Sequence, residues 1–283
     1  MNICYLDFWP GFDKDCNWFN LMFRDLLNDR EINFNSTPQE ADIIFFSSFG
    51  NSIYAARNTK AIKIFYTGEN EPPRLNIADY SLSHDFDTHG GRNFRLPHWY
   101  MYVNWWGEPN FPHARISVER LLRKWDPEEV WNRKEFCSII IGNPVRNRIE
   151  VAQKLNEYRP VHGFGRVFGN HFNGCKVDLM ENYRYNICFE NSITEGYVTE
   201  KLLEAKVAGC IPIYFGDDSA ARDFNDKCYI NYMKMRNATD LLEKIVSLEK
   251  KYSEFIDVCS EQLFCIPPGL SNLYCFLMGA IKL

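Results

Sequence analysis

Short apolar runs alternate with amphipathic segments along most of the chain. Residues 2–8 form the first apolar run and read as a strand. Phe19, Met22, Phe23, Leu26 and Leu27 then recur at helical spacing. Residues 41–46 and 61–66 are further apolar runs of strand length, and the second leads into Thr67, Gly68, Glu69 and Asn70. Residues 84–113 are rich in His, Gly, Pro, Asn and aromatics and read as a long loop region. A short helix is predicted over 117–125.

The pattern restarts at residues 136–141, a strand, followed by a loop and a helix with Ile149, Ala152 and Leu155 on one face. The stretch 185–216, YNICFENSITEGYVTEKLLEAKVAGCIPIYFG, is the most informative part of the chain. Residues 186–189 suit a buried strand, and 190–196 a loop with Gly196 at a sharp turn. Thr199 or a near neighbour is placed to cap a helix carrying Leu202, Leu203, Ala205 and Ala208, which Gly209 ends. Residues 211–215 form the next strand. This is a βαβ unit with a polar mouth. Residues 239–264 read as one long amphipathic helical stretch. Two successive α/β patterns joined near 126–135 predict an α/β fold of two Rossmann-like lobes with a cleft between them, divided as 1–130 and 131–283.

Composition narrows the class. At 283 residues the chain suits two ordinary domains. A hydrophobic share of 46% fills two cores, which excludes a disordered chain. A net charge of -5 argues against general nucleic-acid binding. No apolar run has the length of a membrane helix, and the N-terminus lacks the pattern of a signal peptide. The expected location is cytoplasmic, with peripheral membrane association left open. The ten cysteines form no CxxC pair and no zinc pattern. They are expected to be reduced and mostly structural. Asp217 and Asp218 lie just past a strand and are not expected to hold a metal.

Three clusters carry candidate chemistry. Glu69 directly follows the strand KIFYTG, where a carboxylate can serve as a general base. Arg146 lies in the loop after FCSIIIG, where arginine and a helix N-terminus together suit a phosphate. Asn191, Tyr197, Glu200 and Lys201 gather around the mouth of the βαβ unit. The plainer readings are a cap or surface acid for Glu69, a surface salt bridge for Arg146 and a surface Glu–Lys pair. Taken together, the clusters fit transfer of a sugar from a nucleotide donor. Arg146 and Lys201 would neutralise a diphosphate leaving group, Glu200 or Tyr197 would take sugar hydroxyls, and Glu69 would activate the acceptor hydroxyl without an obligatory metal. Trp99, Tyr100, Trp105 and Trp106 are candidates for stacking on sugar rings. His84, His89, His98 and His113 fit no zinc spacing and read as loop residues or acceptor contacts.

The stretch YNICFEN…GYVTEKLLEAKVAGCIPIYFG resembles the signature of the alpha-1,3/1,4-fucosyltransferase family. FYTGENEPP, ADYSLSHDFD, FRLPHWY and IGNPVRN are similar to successive landmarks of that family, in the same order. The resemblance runs from about residue 40 to 220. It implies a GT-B fold with an acceptor-binding first lobe and a donor-binding second lobe, the C-terminal helix being able to pack back on the first. It implies inverting transfer of L-fucose from GDP-beta-L-fucose to N-acetylglucosamine in a lactosamine-type glycan, alpha-1,3 in preference to alpha-1,4. Glu69 would be the general base. Arg146 and Lys201 would contact the donor diphosphate, and Asn191, Tyr197 and Glu200 would line the donor pocket. Trp99, Tyr100, Trp105 and His98 are the acceptor candidates. No metal site and no cofactor beyond the donor substrate are expected. The oligomeric state is left open. Family members from animals carry an N-terminal anchor and paired C-terminal cysteines, and some bacterial members carry heptad repeats and a basic tail. This chain shows neither pattern, which fits a compact bacterial or viral form. Two other classes compete: a glycoside hydrolase using Glu69 and Glu200, and a binding protein without catalysis.

Overall fold

The computed structural model describes residues 1–282 except 29, 109–115, 145 and 173, and of Arg146 the backbone alone. The chain divides into two compact units. The first comprises Met1–Ser117, Glu195–Tyr197 and Pro268–Leu283, and the second Val118–Thr194 and Val198–Pro267.

The first unit is built on a five-stranded sheet of β1 (Ile3–Leu6), β2 (Ile43–Phe46), β3 (Ile62–Tyr66), β4 (Tyr80–Ser83) and β5 (Asn93–Arg95), ordered as in the chain. Every neighbouring pair is parallel. α1 (Trp18–Leu26) begins at Asn17, whose side chain accepts from the Asn20 N–H, and α2 (Ile53–Ala56) follows β2. β6 (Val103–Asn104) and β7 (Ile116–Ser117) form a separate small ribbon. On one face of the sheet Ile3, Tyr5, Ile43, Phe45, Ile64 and Tyr66 pack against Phe19, Met22 and Phe23 of α1. Cys4, Ile44, Phe46 and Phe65 enter a smaller cluster with Ile53 and Ala56 of α2. The alternation along each strand is the period of two that buries both faces of a parallel sheet.

The second unit holds β8 (Glu135–Ile140), β9 (Val161–Phe164), β10 (Tyr183–Phe189), β11 (Ile211–Phe215) and β12 (Ile230–Asn231) in the order β12-β11-β10-β8-β9, again all parallel. Its helices are α3 (Val118–Leu121), α4 (Pro127–Trp131), α5 (Arg146–Asn156), α6 (Lys176–Met180), α7 (Glu200–Val207), α8 (Ala238–Lys250) and α9 (Tyr252–Ser260). α10 (Ser271–Ala280) returns to the first unit.

Several boundaries differ from the sequence expectation. The first unit closes at Ser117, because Val130 of α4 is wholly buried in the second core and Arg120 pairs with Asp178 and Glu181. The C-terminal helix places Leu273, Leu277 and Ile281 in the first core. The loop expected over 84–113 contains β5, a 3-10 turn at His98–Tyr102 and β6. β4 was missed because Tyr80–Ser83 is half polar, its serines buried beside other strands. The stretch 239–264 is two helices that break at Lys251, whose φ of -120° and ψ of 85° leave the helical region. Gly209 does end α7, with φ +80°, a conformation that suits glycine.

Leu277 is fully buried in the first core although it lies far along the chain from β1. Leu277→Ala should cost about 2–5 kcal/mol of stability, read as a lower urea midpoint by tryptophan fluorescence. A midpoint like that of the unaltered chain would remove α10 from this core.

Candidate active site

The strand order of the second unit places its chemistry. From β8 the chain crosses to β9 on one side, then returns to β10 on the other. Between β8 and β10 lies a topological switch point, and open parallel sheets take ligands beyond the carboxyl ends of the strands there. β8 runs out into the loop 141–144 ahead of α5, which begins at Arg146. The Arg146 side chain lies outside the described residues. β10 runs out into Glu190 and the loop that leads to α7.

Glu190 organises this edge. Its side chain has no solvent exposure. The carboxylate accepts the Thr199 N–H at 2.8 Å, the Thr199 hydroxyl at 2.7 Å and the Lys201 ammonium at 2.9 Å. Lys201 also donates to Thr199 Oγ1 at 2.7 Å. Thr199 is the N-cap of α7 but makes no capping bond with its own side chain. The Glu190 carboxylate instead accepts the N–H of the N-cap residue itself, next to the positive end of the helix. Capping therefore differs from the expectation, because the Thr199 hydroxyl is committed to Glu190 and Lys201.

Arg148 has a comparable role on the other side of the switch point. It is 2% exposed and donates to the Phe189 carbonyl and to Asn191 Oδ1, both at 2.7 Å. Asn191 is thereby oriented by an arginine that sequence reasoning did not name. The signal was present: Arg148 shares a helical face with Ala152 and Leu155, at spacings of four and seven. Arg166, exposed after β9, donates to the Gly142 carbonyl at 3.1 Å and to Asn143 Oδ1 at 3.1 Å. Arg148 and Arg166 thus brace the loops after β8 and β10 by binding carbonyl oxygens.

Glu200 is 8% exposed and lies 3.6 Å from Lys176 Nζ and 3.9 Å from Lys201 Nζ. One turn further, Glu204 is 3.3 Å from the same Lys176. Burial pushes the Glu204 carboxyl up to about 7, against the opposing pull of Lys176. Burial draws the Lys176 ammonium down, but Glu204 and Glu200 outweigh it and leave its pKa raised. Tyr197, expected to line the donor pocket, falls with the first unit. Its ring is 6% exposed and packs edge-on against His84 at 5.6 Å, inside the first unit. Burial lowers the His84 pKa, and Asp85 only partly offsets this.

The first unit has its own concave site. Glu69 follows the carboxyl end of β3, exposed, in a turn where its N–H is accepted by Thr67 Oγ1 at 3.1 Å. It lines a cavity of about 410 Å³ with Trp9, Phe12, Asp13, Phe49, Tyr66, His98 and Tyr102. Tyr66 Oη and His98 Nδ1 are 3.1 Å apart. Burial, then the Glu69 charge, pushes the Tyr66 phenol far up, so it stays protonated. A Cβ at Gly68 would run into the His98 imidazole, which would have to move out of its present position.

The aromatic acceptor candidates separate. His98 lines the cavity. Trp99 is 2% exposed and cannot offer a face to a sugar; its ring stacks 4.1 Å from Tyr100. Tyr100 and Trp105 are half-buried against the first core, with the Trp105 indole N–H bonded to the Tyr100 carbonyl at 3.0 Å. Trp106 donates to Asp25 and packs edge-on to Trp18. Trp9, Phe12 and Phe49 line the cavity instead, in segments to which the sequence reading assigns no element. His89 pairs with Asp85 at 2.9 Å, and His113 lies outside the described residues. Among the described residues no group of three or more His, Cys, Asp or Glu is arranged to hold a metal, and no helix is long and apolar enough to cross a membrane. The described cysteines are free thiols.

Two parallel α/β units, with a switch-point site in the second, define a glycosyltransferase fold of GT-B type. Residues 3–102 match the family model described as Alpha-(1,3)-fucosyltransferase FucT N-terminal domain, and residues 132–258 match Glycosyltransferase family 10 (fucosyltransferase) C-term. The chain belongs to the family 10 fucosyltransferases. It is 28% identical over 294 residues to Alpha-(1,3)-fucosyltransferase FucT of Helicobacter pylori, covering 94% of this chain and 61% of that protein. The chain thus spans about three fifths of that relative's length. Over 85 residues it is 32% identical to 4-galactosyl-N-acetylglucosaminide 3-alpha-L-fucosyltransferase 9 of Homo sapiens, covering 29% of this chain and 24% of that protein. A crystal structure of alpha1,3-fucosyltransferase with GDP-fucose superimposes with a TM-score of 0.76 at 24% identity, covering 100% of this chain and 90% of that one.

The Glu204 shift has a consequence for stability. A carboxyl whose pKa is raised on folding favours the folded state below its unfolded value, and that contribution is lost as pH rises through the folded one. Stability should therefore decline between the ordinary glutamate value of 4.5 and about pH 7. Glu204→Gln should flatten this decline in chemical denaturation across that window. An unchanged slope would show that Glu204 does not titrate there.

Proposed function

We propose that the chain transfers L-fucose from GDP-beta-L-fucose to a hydroxyl of N-acetylglucosamine in a lactosamine-type glycan, with inversion and alpha-1,3 linkage. The observation that carries this reading is Lys201, held at the N-terminus of α7 beyond the carboxyl end of β10, in a chain of the fucosyltransferase family. The GDP-fucose bound to the structural neighbour and the acceptor named for the human relative support the choice of donor and acceptor.

In this reading the second unit holds the donor. Lys201 and Arg146 face the diphosphate, and Asn191 and Glu200 take hydroxyls of the nucleotide sugar. The first unit holds the acceptor. Its cavity offers aromatic faces at Trp9 and Phe49, which suit the apolar face of a pyranose, and the Glu69 carboxylate. Glu69 removes the proton of the attacking hydroxyl as its oxygen bonds to the anomeric carbon. The bond from that carbon to the diphosphate oxygen breaks on the opposite side, and GDP leaves with the electron pair. The negative charge that develops on GDP is met by the Arg146 guanidinium and by the Lys201 ammonium, which Glu190 and Thr199 hold in place before the reaction. On this account a metal ion is not obligatory, and turnover should survive a chelator. The ion-pair setting of Glu200 between two lysines also differs from the apolar pocket that a glycosidase acid uses, which speaks against the hydrolase alternative.

Incubation with GDP-fucose and N-acetyllactosamine, following GDP release and product mass, tests the reading. Donor binding without transfer to any acceptor would overturn it. Glu69→Ala should lower kcat by about 10²–10⁴-fold while GDP affinity stays within about twofold. Near-normal turnover would remove Glu69 from the base role. Trp9→Ala should raise the acceptor KM, by about 10-fold if a stacking face worth about 1–2 kcal/mol is lost, and leave the donor KM unchanged.

A further inference from the structure

Lys201 is one corner of a closed hydrogen-bonded triangle. Its ammonium donates to Glu190 Oε2 at 2.9 Å and to Thr199 Oγ1 at 2.7 Å, and the Thr199 hydroxyl donates to the same Glu190 oxygen at 2.7 Å. The other carboxylate oxygen accepts the Thr199 backbone N–H at 2.8 Å. The Glu190 side chain is completely enclosed, whereas that of Lys201 is 21% exposed. A buried carboxylate is costly to desolvate, and this one is compensated by three donors from the first turn of α7.

We infer that Glu190 is a positioning residue. It holds the Lys201 ammonium where the donor diphosphate is to be met, and it ties that ammonium to the start of α7 so that both act as one preformed cationic site. The inference rests on the reading of Lys201 as a diphosphate contact. A carboxylate is needed because each partner is a donor. An amide at this position would turn an NH₂ group towards either the Thr199 N–H or the hydroxyl and ammonium, whichever way it is flipped. Glu190 itself is shielded behind Thr199 and Lys201 and is not assigned any contact with substrate.

A double-mutant cycle tests this. Kd for GDP and the steady-state constants for GDP-fucose are measured for Glu190→Gln, Lys201→Ala and the double variant, with thermal melts alongside. If Glu190 acts through Lys201, Glu190→Gln should weaken GDP binding and lower kcat/KM for the donor by about 10-fold in the unaltered chain, and by about twofold or less once Lys201 is absent. The acceptor KM should not move. Equal factors in both backgrounds would overturn the inference and leave Glu190 as a purely structural group. A Lys201→Ala chain that binds GDP and turns over as before would instead overturn the reading of Lys201, and the inference with it. Should Glu190→Gln fail to fold, Thr199→Val opens one side of the triangle without removing a charge. The same coupling to Lys201 is then expected, with Thr199→Ser restoring the constants, and no coupling overturns the inference.

Discussion

Parallel strand pairing is the constraint from which the chemistry of this chain follows. In both sheets every neighbouring pair runs the same way, so each strand hands the chain out at the same edge. A parallel pair cannot be closed by a tight hairpin, and the return has to be made by a crossover, usually a helix. Loops and helix N-termini therefore accumulate at the carboxyl edge. Where the order reverses, at β8 and β10, two such loops diverge and leave room for a ligand. Glu190, Asn191, Thr199 and Lys201 stand together because a buried strand ends at Phe189 and a helix begins at Glu200.

Holding cations at such an edge raises an energetic difficulty. An ammonium or guanidinium near an apolar sheet loses hydration, and a mobile one would have to be ordered when the ligand arrives. The second unit meets this with acceptors already in place. Arg148 is bonded to a strand carbonyl and to Asn191, Arg166 to the Gly142 carbonyl, and Lys201 to Glu190 and Thr199. Each bond lowers the net positive field but fixes its position. For a leaving group whose charge grows during the reaction, fixed position matters more than field strength at rest. Of these contacts Lys201–Glu190 is the ion pair, and removing one partner of such a buried pair costs about 3–5 kcal/mol.

What could be read from the sequence depended on how local the cause was. The strand–loop–helix–strand unit at 185–216 was legible because apolar runs, Gly209 and the first-turn Glu200 and Lys201 all report on neighbouring residues. The end of the first unit at Ser117 was not, because it is decided by Val130 entering the second core. Trp99 was misread as an exposed stacking face, since an aromatic-rich stretch looks the same whether its rings point into the core or out of it. Arg148 was passed over as one of several arginines, although its spacing from Ala152 and Leu155 placed it on the buried face. Glu190 carries no role in the sequence reading, because its partners lie nine and eleven residues away and only the fold brings them to it.

The two units differ in electrostatic character, and the proposed displacement reaction would use that difference. The cavity beside Glu69 is walled largely by aromatic rings, with Asp13, Asn17, His98 and the protonated Tyr66 phenol among its polar groups; there is no lysine or arginine among its described lining residues. A cation against Glu69 would stabilise the carboxylate and weaken it as a base. In the second unit the order is inverted: the partly exposed Lys176 and Lys201 are each paired with a more deeply buried carboxylate, Glu200 and Glu190. Acceptor activation needs an unpaired carboxylate, whereas diphosphate departure needs cations that do not drift. Neither set of residues would perform the other's task, and this separation is why one charge pattern could not have been spread evenly over both sheets.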